Sequence, residues 1–443
     1  MQDDEELELE QVPQIELDLI IRKHNMFLTG RPGGARAVLR DKNLSDLNFA
    51  GQNLAQSDFT GCIMERCDFT KTDFECATLF GCDFTNAVFK NANLFKADMR
   101  GSDVEEADLS GANLEKADLR EGVIVIARKI KKPDDQFSQV ALAGKVDFSG
   151  SDLTDANLNK ASAASANFSD TKMTNTDLSG ADLKNAKFTA ADLSGSNLSK
   201  ADVRDADFEA AIMTNVEKTS AEIKGTNFIG VLTDETQGEN FDEIGLSIDE
   251  LILNHSSWVS TAGKEGSRMD LTDYDLRKIK KLNNKRLTAL KAIKATFAEL
   301  DMRNIELQSS ILNQSDFRKC LLSNADLRGS CIKDAIFNYA DLSKADLGSL
   351  IFRRGEDSER RIPCDLEGSS FRHANLSGAI LDHANLKGTD LSYADLSGSD
   401  LRNANLKGAK TKKTNFKGAL LSGIEMDSTI SIDLEPDDDE NNK

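Results

Sequence analysis

The chain has 443 residues, with 75 acidic against 55 basic side chains and a formal net charge of -20. Its longest strongly apolar run, Val123 to Ala127, falls far short of the ~20 residues a membrane-spanning helix needs, and Leu, Phe and Ala recur too regularly for a disordered chain. Phe is 22 while Tyr is 3, Trp is 1 and Pro is 5, so aromatic rings are used where no polar handle must find a partner, which favours one repeat array over the three or so ordinary domains that ~150 residues per domain would give.

The first element, residues 1–18, holds eight acids (Asp3, Asp4, Glu5, Glu6, Glu8, Glu10, Glu16, Asp18) and no base, and is predicted to be a solvated, disordered tail. It has no apolar signal-peptide segment, so a cytoplasmic location is expected. Residues 19–43 are predicted to form a helical cap, with a short helix over 15–28 leading into it. Gly30-Arg31-Pro32-Gly33-Gly34 lacks the lysine of a phosphate loop and does not follow a strand, so it reads as a connecting turn.

From Leu44 the sequence acquires a period of five, plain in Ala107-Asp108-Leu109-Ser110-Gly111, Ala112-Asn113-Leu114-Glu115-Lys116 and Ala117-Asp118-Leu119-Arg120-Glu121. With the central Leu or Phe called i, four registers run from Leu44 to Leu119, Phe148 to Phe228, Phe297 to Phe352 and Leu366 to Met426. They hold 58 pentapeptides, and a large apolar side chain fills i in all but Ala163, Lys218 and Thr411. Position i−2 is mostly Ala, Ser, Cys or Thr, i−1 mostly Asp or Asn, and i+1 and i+2 polar or Gly. Neither a helix nor a long strand keeps every fifth residue on one face. A short extended segment ending in a corner does, with i−2 and i pointing inward, and successive turns of such a coil stack about 4.8 Å apart.

This A(D/N)LXX pattern, repeated in Ala340-Asp341-Leu342-Ser343-Lys344 and Ala404-Asn405-Leu406-Lys407-Gly408, resembles the pentapeptide-repeat family over about two-thirds of the chain. The resemblance implies an all-β solenoid, a right-handed quadrilateral β-helix with four pentapeptides to a coil, here with short capping helices and acidic disordered tails. The predicted β-helical stretches are 44–124, 148–228, 297–352 and 366–426. A continuous stack of them would be a rod of roughly 70 Å.

The β-helix is interrupted by a loop insertion at 125–147, where the apolar run from Val123 is followed by Arg128-Lys129-Ile130-Lys131-Lys132-Pro133, and by a charged loop at 353–365. Residues 229–246 read as a linker. Residues 247–296 read as a second helical cap and transition: Ser247-Ile248-Asp249-Glu250 is a capping box, and Ile252 to Leu276 recapitulates Ile20 to Leu44 with one extra residue, His255 standing for His24. Within it Leu282, Leu287 and Ala292 could fill i, and a basic helix is an equal reading. Two related units follow, about 1–245 and 246–443. The tail 427–443 is again acidic, and the two ends carry most of the charge, leaving -5 for residues 19–424.

No catalytic, cofactor-binding or metal site is predicted. His24 and His255 read as structural; His373 and His383, both at i+2 and two pentapeptides apart, fall on opposite faces and cannot share a metal. Cys62, Cys67, Cys82, Cys320 and Cys364 lie at i−2 as small buried residues, Cys76 and Cys331 lie outward, and no zinc spacing exists. Carboxylates such as Asp98 and Asp118, twenty residues apart, are expected to stack and repel by about 0.9 kcal/mol in water. The expected function is therefore a rigid non-catalytic scaffold for protein–protein interaction, without cofactors, direct nucleic-acid binding or membrane insertion, and compatible with a homodimer. The family resemblance implies one alternative, a DNA mimic that binds a type II topoisomerase such as gyrase or another DNA-binding protein. A secreted bacterial effector is a further alternative.

Overall fold

A computed structural model describes residues 9–128, 138–353 and 359–427. Residues 1–8 and 428–443 of the expected acidic tails, and the basic run from Lys129 to Pro133, lie outside the described residues. Residues 10–18 of the expected first tail are not disordered: Glu10–Gln11 form a short strand and residues 14–18 begin a helix, with Val12 and Leu17 buried against the first coils. The chain divides into two compact units, residues 1–234 and 235–443.

Each unit is a four-sided coil. Away from the insertions and the first coil of unit 2, the i−1 residues bridge in parallel to the residue twenty positions on, as in Asn53 to Asp73 to Asn93 to Asn113, so four pentapeptides close one turn. One turn is held to the next by backbone bonds from i and i+2: Phe49 N–H donates to Asp68 O at 2.8 Å and Gly51 N–H to Thr70 O at 2.9 Å. The corner is closed by Gln52 N–H on Phe49 O at 3.1 Å. The i+2 residue takes a left-handed φ, 69° at Gly51 and 59° at Lys116, as a type II turn requires. That requirement explains the Gly, Asn and Asp found there, and Lys accepts the same conformation at some cost.

The coil interior is filled without exception through its middle: Phe69, Leu114, Leu183, Phe317 and Leu342 are fully buried, with Ala and Ser at i−2 between them. Phenylalanines separated by one turn stack, giving Phe148-Phe168-Phe188-Phe208 with ring centroids 4.5–5.1 Å apart and Phe297-Phe317-Phe337-Phe371 at 4.7–4.8 Å. The two units have separate apolar cores.

Both units open in the same way. In the first, β1 (Glu10–Gln11) precedes α1 (Gln14–Leu28), and β1 pairs in parallel with β2 (Lys42–Asn43). In the second, β5 (Glu239–Asn240) precedes α2 (Ile248–Ser260), and β5 pairs in parallel with β6 (Tyr274–Asp275). The opening strand satisfies the exposed edge of the first coil. Ser247 and Glu250 form the expected capping box, with Ser247 N–H on Glu250 Oε2 at 2.8 Å.

Several boundaries differ from the sequence reading. Residues 229–246 are not a free linker: Leu232 bridges to Ile212 inside unit 1, whereas Glu239 and Asn240 form β5 of unit 2, so unit 2 begins ten or so residues before the expected 246. The β-helix starts at Leu39 and Leu271 rather than Leu44 and Phe297, because Val38 and Asp270 already bridge to Asp58 and Lys291. Leu282, Leu287 and Ala292 are fully buried at i, and the basic-helix alternative shrinks to a single 3-10 turn at Arg277–Ile279. That turn inserts one residue between Leu276 and Leu282 and so breaks the five-residue period there.

The two interruptions are β-hairpins. Strand β3 (Gly122–Arg128) pairs antiparallel with β4 (Ser138–Gly144), and β7 (Leu350–Arg353) with β8 (Glu359–Ile362). The coil resumes in register beneath each, Asp103 bridging to Asp147 and Cys331 to Asp365. Phe352, expected inward at i, instead lies in β7 and is 47% exposed. At the end of unit 1 the inward rule also lapses: Lys218, Ile223 and Phe228 occupy i but are exposed, since unit 1 has no further coil after them.

Candidate functional site

The outward surface is built by the i−1 and i+1 side chains. An Asx carboxylate or amide at i−1 accepts the i+1 backbone N–H, as at Asp73 Oδ1 with Glu75 N–H, 3.0 Å, the local bonding for which short polar side chains are suited. Where i+1 is Arg, its guanidinium also closes on the same carboxylate. In Asp98-Met99-Arg100, Asp118-Leu119-Arg120, Asp202-Val203-Arg204, Asp301-Met302-Arg303 and Asp400-Leu401-Arg402 the Nε–Oδ1 and Nη2–Oδ2 distances are all 2.6–2.9 Å. The Arg204 guanidinium draws the Asp202 carboxyl down to about 2.

Asp98 and Asp118 do stack, yet the expected repulsion is replaced by attraction. Arg100 sits between them, 2.8 Å from Asp98 and 3.6 Å from Asp118. Amide columns have the same effect without charge: Asn93 Nδ2 donates to Asp73, Asn113 to Asn93 and Asn157 to Asn113 at 2.9–3.2 Å.

His24 and His255 tie each capping helix to its coil. Nε2 of His24 donates to Ala55 O at 3.1 Å while Nδ1 accepts from Ala37 N–H at 3.0 Å. His255 repeats this with Thr288 O and Met269 N–H, both at 3.0 Å. Both rings are fully buried, and burial pushes both pKa values below the ordinary range. Below about pH 6.5 the unfolded chain binds protons that the folded rings refuse, so stability falls as pH drops from about 6.5 to 5. Urea titrations at pH 7.5 and 5 should show this fall. Replacing both histidines by Ala should cost about 1–3 kcal/mol at each site and flatten the slope in that window.

Cys62, Cys67, Cys82 and Cys320 are buried and donate Sγ–H to the carbonyls of Leu39, Leu44, Phe59 and Phe297 at 2.8–3.2 Å. Burial pushes the Cys62 and Cys67 thiols up to about 12. Cys364 is buried likewise, Cys331 is half-buried and Cys76 is exposed. No group of three or more His, Cys, Asp or Glu side chains suited to a metal ion occurs among the described residues. His373 and His383 lie two sides apart on the coil. His383 stands 3.7 Å from Asp382. His373 has an unforeseen role: its ring stacks between Tyr339 and Tyr393 at 4.7 and 4.8 Å, all three at i+2 of one column.

The chemistry that the site reading missed is the distribution of charge among the four sides. In unit 1, one side follows the bridged column Asn43, Ile63, Asp83, Asp103, Asp147, Asn167, Lys187, Asp207 and Asn227. The outward positions of this side hold ten acids and two bases, Arg66 and Lys187. Over three successive coils they are Asp83, Asp103, Glu105, Glu106 and Asp147 with no base. Crowding by surrounding protein, then repulsion from Asp83, Asp147 and Glu105, lifts the Asp103 carboxyl to about 6, even though its side chain keeps contact with solvent.

The corresponding side of unit 2, the one that begins at β6, has the opposite sign. Its column is Asp275, Thr296, Asp316, Ile336, Ser370, Asp390 and Lys410, and its outward positions hold eight bases against four acids. The bases include Arg372, Lys410, Lys412 and Lys413 in the last three coils, and the Tyr339-His373-Tyr393 stack runs along its edge. Sorting charge by the twenty-residue turn of the coil, as Leu and Phe sort by the five-residue unit, separates both sides.

These features define a four-sided β-helix built from five-residue units, with structural histidines and an outer surface sorted by charge. A family model described as pentapeptide repeats matches residues 43–86, 72–111, 87–122, 301–338, 364–403 and 399–423 in eight copies, and one described as a pentapeptide repeat region matches 144–228. The chain belongs to the pentapeptide-repeat family, whose members are typically non-catalytic structural or interaction proteins. No curated protein matches it. Among solved structures it is similar to a trypsin-treated variant of QnrB1, described as a plasmid-mediated fluoroquinolone resistance protein, with 20% identity, 48% of this chain and 94% of that one covered, and a TM-score of 0.22. A pentapeptide repeat protein of the Arabidopsis thaliana thylakoid lumen gives 26%, 30%, 69% and 0.20. HetL of the cyanobacterium Nostoc sp. strain PCC 7120, described as involved in heterocyst differentiation regulation, gives 17%, 90%, 92% and 0.14.

Proposed function

We propose that the protein is a non-catalytic, cytoplasmic scaffold that binds protein partners through the flat sides of its coils, and that the acidic side of unit 1 receives a basic partner. The observation that carries this reading is the run Asp83, Asp103, Glu105, Glu106 and Asp147. Like charges held together raise the free energy of the isolated protein, repulsion from Asp83, Asp147 and Glu105 adding to the burial that lifts the Asp103 carboxyl, and a cationic surface relieves that repulsion. Rigid β structure holds the acids in place beforehand, so little ordering entropy is lost on binding.

Affinity capture with the full chain, and with Asp83→Asn/Asp103→Asn/Glu105→Gln/Glu106→Gln, tests the reading. A partner lost about tenfold or more in the variant, and released by salt, supports it. A partner held equally by both chains places the interaction elsewhere.

A DNA mimic acting on gyrase or another DNA-binding protein is the second reading, and the same run favours it. Five acids over two coil spacings, roughly 10 Å, approach the charge density of duplex DNA, about one per 1.7 Å. On this reading the wild-type chain, and not the variant, competes with DNA for gyrase.

A further inference from the structure

The basic side of unit 2 has its opposite within the same chain. We propose that the acidic C-terminal segment, residues 428–443, docks along the last coils of this side and is its resident occupant. Three observations support the assignment, and none depends on the acidic side of unit 1.

The first is charge. Residues 428–443 carry six acids, Asp433, Glu435, Asp437, Asp438, Asp439 and Glu440, against the single base Lys443. The last three coils of the basic side present Arg372, Lys410, Lys412 and Lys413 against one acid, Asp390. Lys410, Lys412 and Lys413 are exposed, and the Lys412 ammonium lies 5.5 Å from the centre of the Tyr393 ring.

The second is the point of departure. Glu425 bridges to Asn405 on the preceding side of the coil, and Asp427 Oδ2 accepts the backbone N–H of Gly408 at 2.7 Å. Gly408 is the corner residue from which the chain one turn earlier enters the basic side, through Ala409 to Lys410. The segment therefore starts at the corner beside the lysines it would meet.

The third is reach. Extended chain covers about 3.3 Å per residue, so the twelve residues from 428 to 439 span up to ~40 Å, whereas Arg372 lies only two coil spacings, about 10 Å, from the last coil. Docking of this kind reserves the basic side for ligands acidic enough to displace the segment.

Lysine acylation rates, read by mass spectrometry on the full chain, test the proposal. The comparison is between wild type and a chain with the six acids changed to Asn or Gln, which leaves the coil residues untouched. Lys410, Lys412 and Lys413 should react about threefold or more faster in the neutralised chain, and wild type should reach that rate at about 1 M salt, where the screening length is ~3 Å. Lys160 and Lys200, on another side of unit 1, should be unchanged in both. Equal rates in the two chains would overturn the proposal, as would protection that disappears on dilution, which would assign the side to a second copy of the chain.

Discussion

Leu183→Asp is expected to unfold the middle of unit 1. Leu183 is fully buried, its N–H donates to Asp202 O at 2.8 Å and its carbonyl accepts from Ala186 N–H at 3.0 Å, so its backbone cannot turn the new carboxylate outward without breaking both the stack and the corner. Loss of the leucine alone costs about 2–5 kcal/mol, and a carboxyl group in that site, charged or protonated, finds no partner among Phe and Leu side chains. A total of at least about 4 kcal/mol is expected. In a solenoid each coil contacts only its neighbours, so the damage should spread along unit 1, whose core is separate from that of unit 2. Circular dichroism melting should show a transition at lower temperature, and hydrogen exchange should assign it to residues 39–232. The adjacent Lys184→Ala should shift stability by less than about 1 kcal/mol, since its contacts with Asp182 and Asp202, 3.2 and 3.6 Å, are solvent-exposed. A Leu183→Asp chain that melts like wild type would refute the inward direction of i.

The contrast between those neighbouring residues explains why so much of the fold is legible in the sequence. A five-residue period imposes one chemical demand per position, and a buried Leu or Phe at i leaves a mark in every coil. Legibility stops where a coil has no neighbour or where the chain leaves it. Phe228 has the right residue type at the right spacing, but it lies in the last coil of unit 1. Phe352 keeps the spacing as well, yet Leu350 to Arg353 gain backbone pairing with Glu359 to Ile362, and this outweighs the burial of one ring. Glu239 and Asn240 look like linker because a two-residue opening strand needs paired backbone rather than apolar side chains. The candidate site was hidden for a different reason. Averaged along the chain, residues 19–424 are almost neutral, but the coil returns to each side only every twentieth residue, and neutrality along the sequence becomes an acidic side in unit 1 and a basic side in unit 2.

Burial should likewise separate two copies of one surface motif. Asp301-Met302-Arg303 and Asp316-Phe317-Arg318 have the same sequence pattern and nearly the same bonding, with Nε–Oδ1 at 2.9 and 3.0 Å and Nη2–Oδ2 at 2.8 and 2.5 Å. Their surroundings differ: the Arg303 side chain is 52% exposed, the Arg318 side chain 2%. Asp301→Ala exchanges a carboxylate for water around Arg303 and should cost less than about 1 kcal/mol. Asp316→Ala takes from a guanidinium in the protein interior the carboxylate that accepts from its Nε and Nη2, for which about 3–5 kcal/mol is expected. The double change Asp316→Ala/Arg318→Met removes both charges and should recover most of that loss, because it is removing one partner of a buried ion pair, and not the absence of the pair, that destabilises. Urea denaturation of the three variants measures the differences directly. Equal costs for Asp301→Ala and Asp316→Ala, or no recovery in the double variant, would mean that water or another carboxylate reaches Arg318, and that the pair is held for its geometry alone.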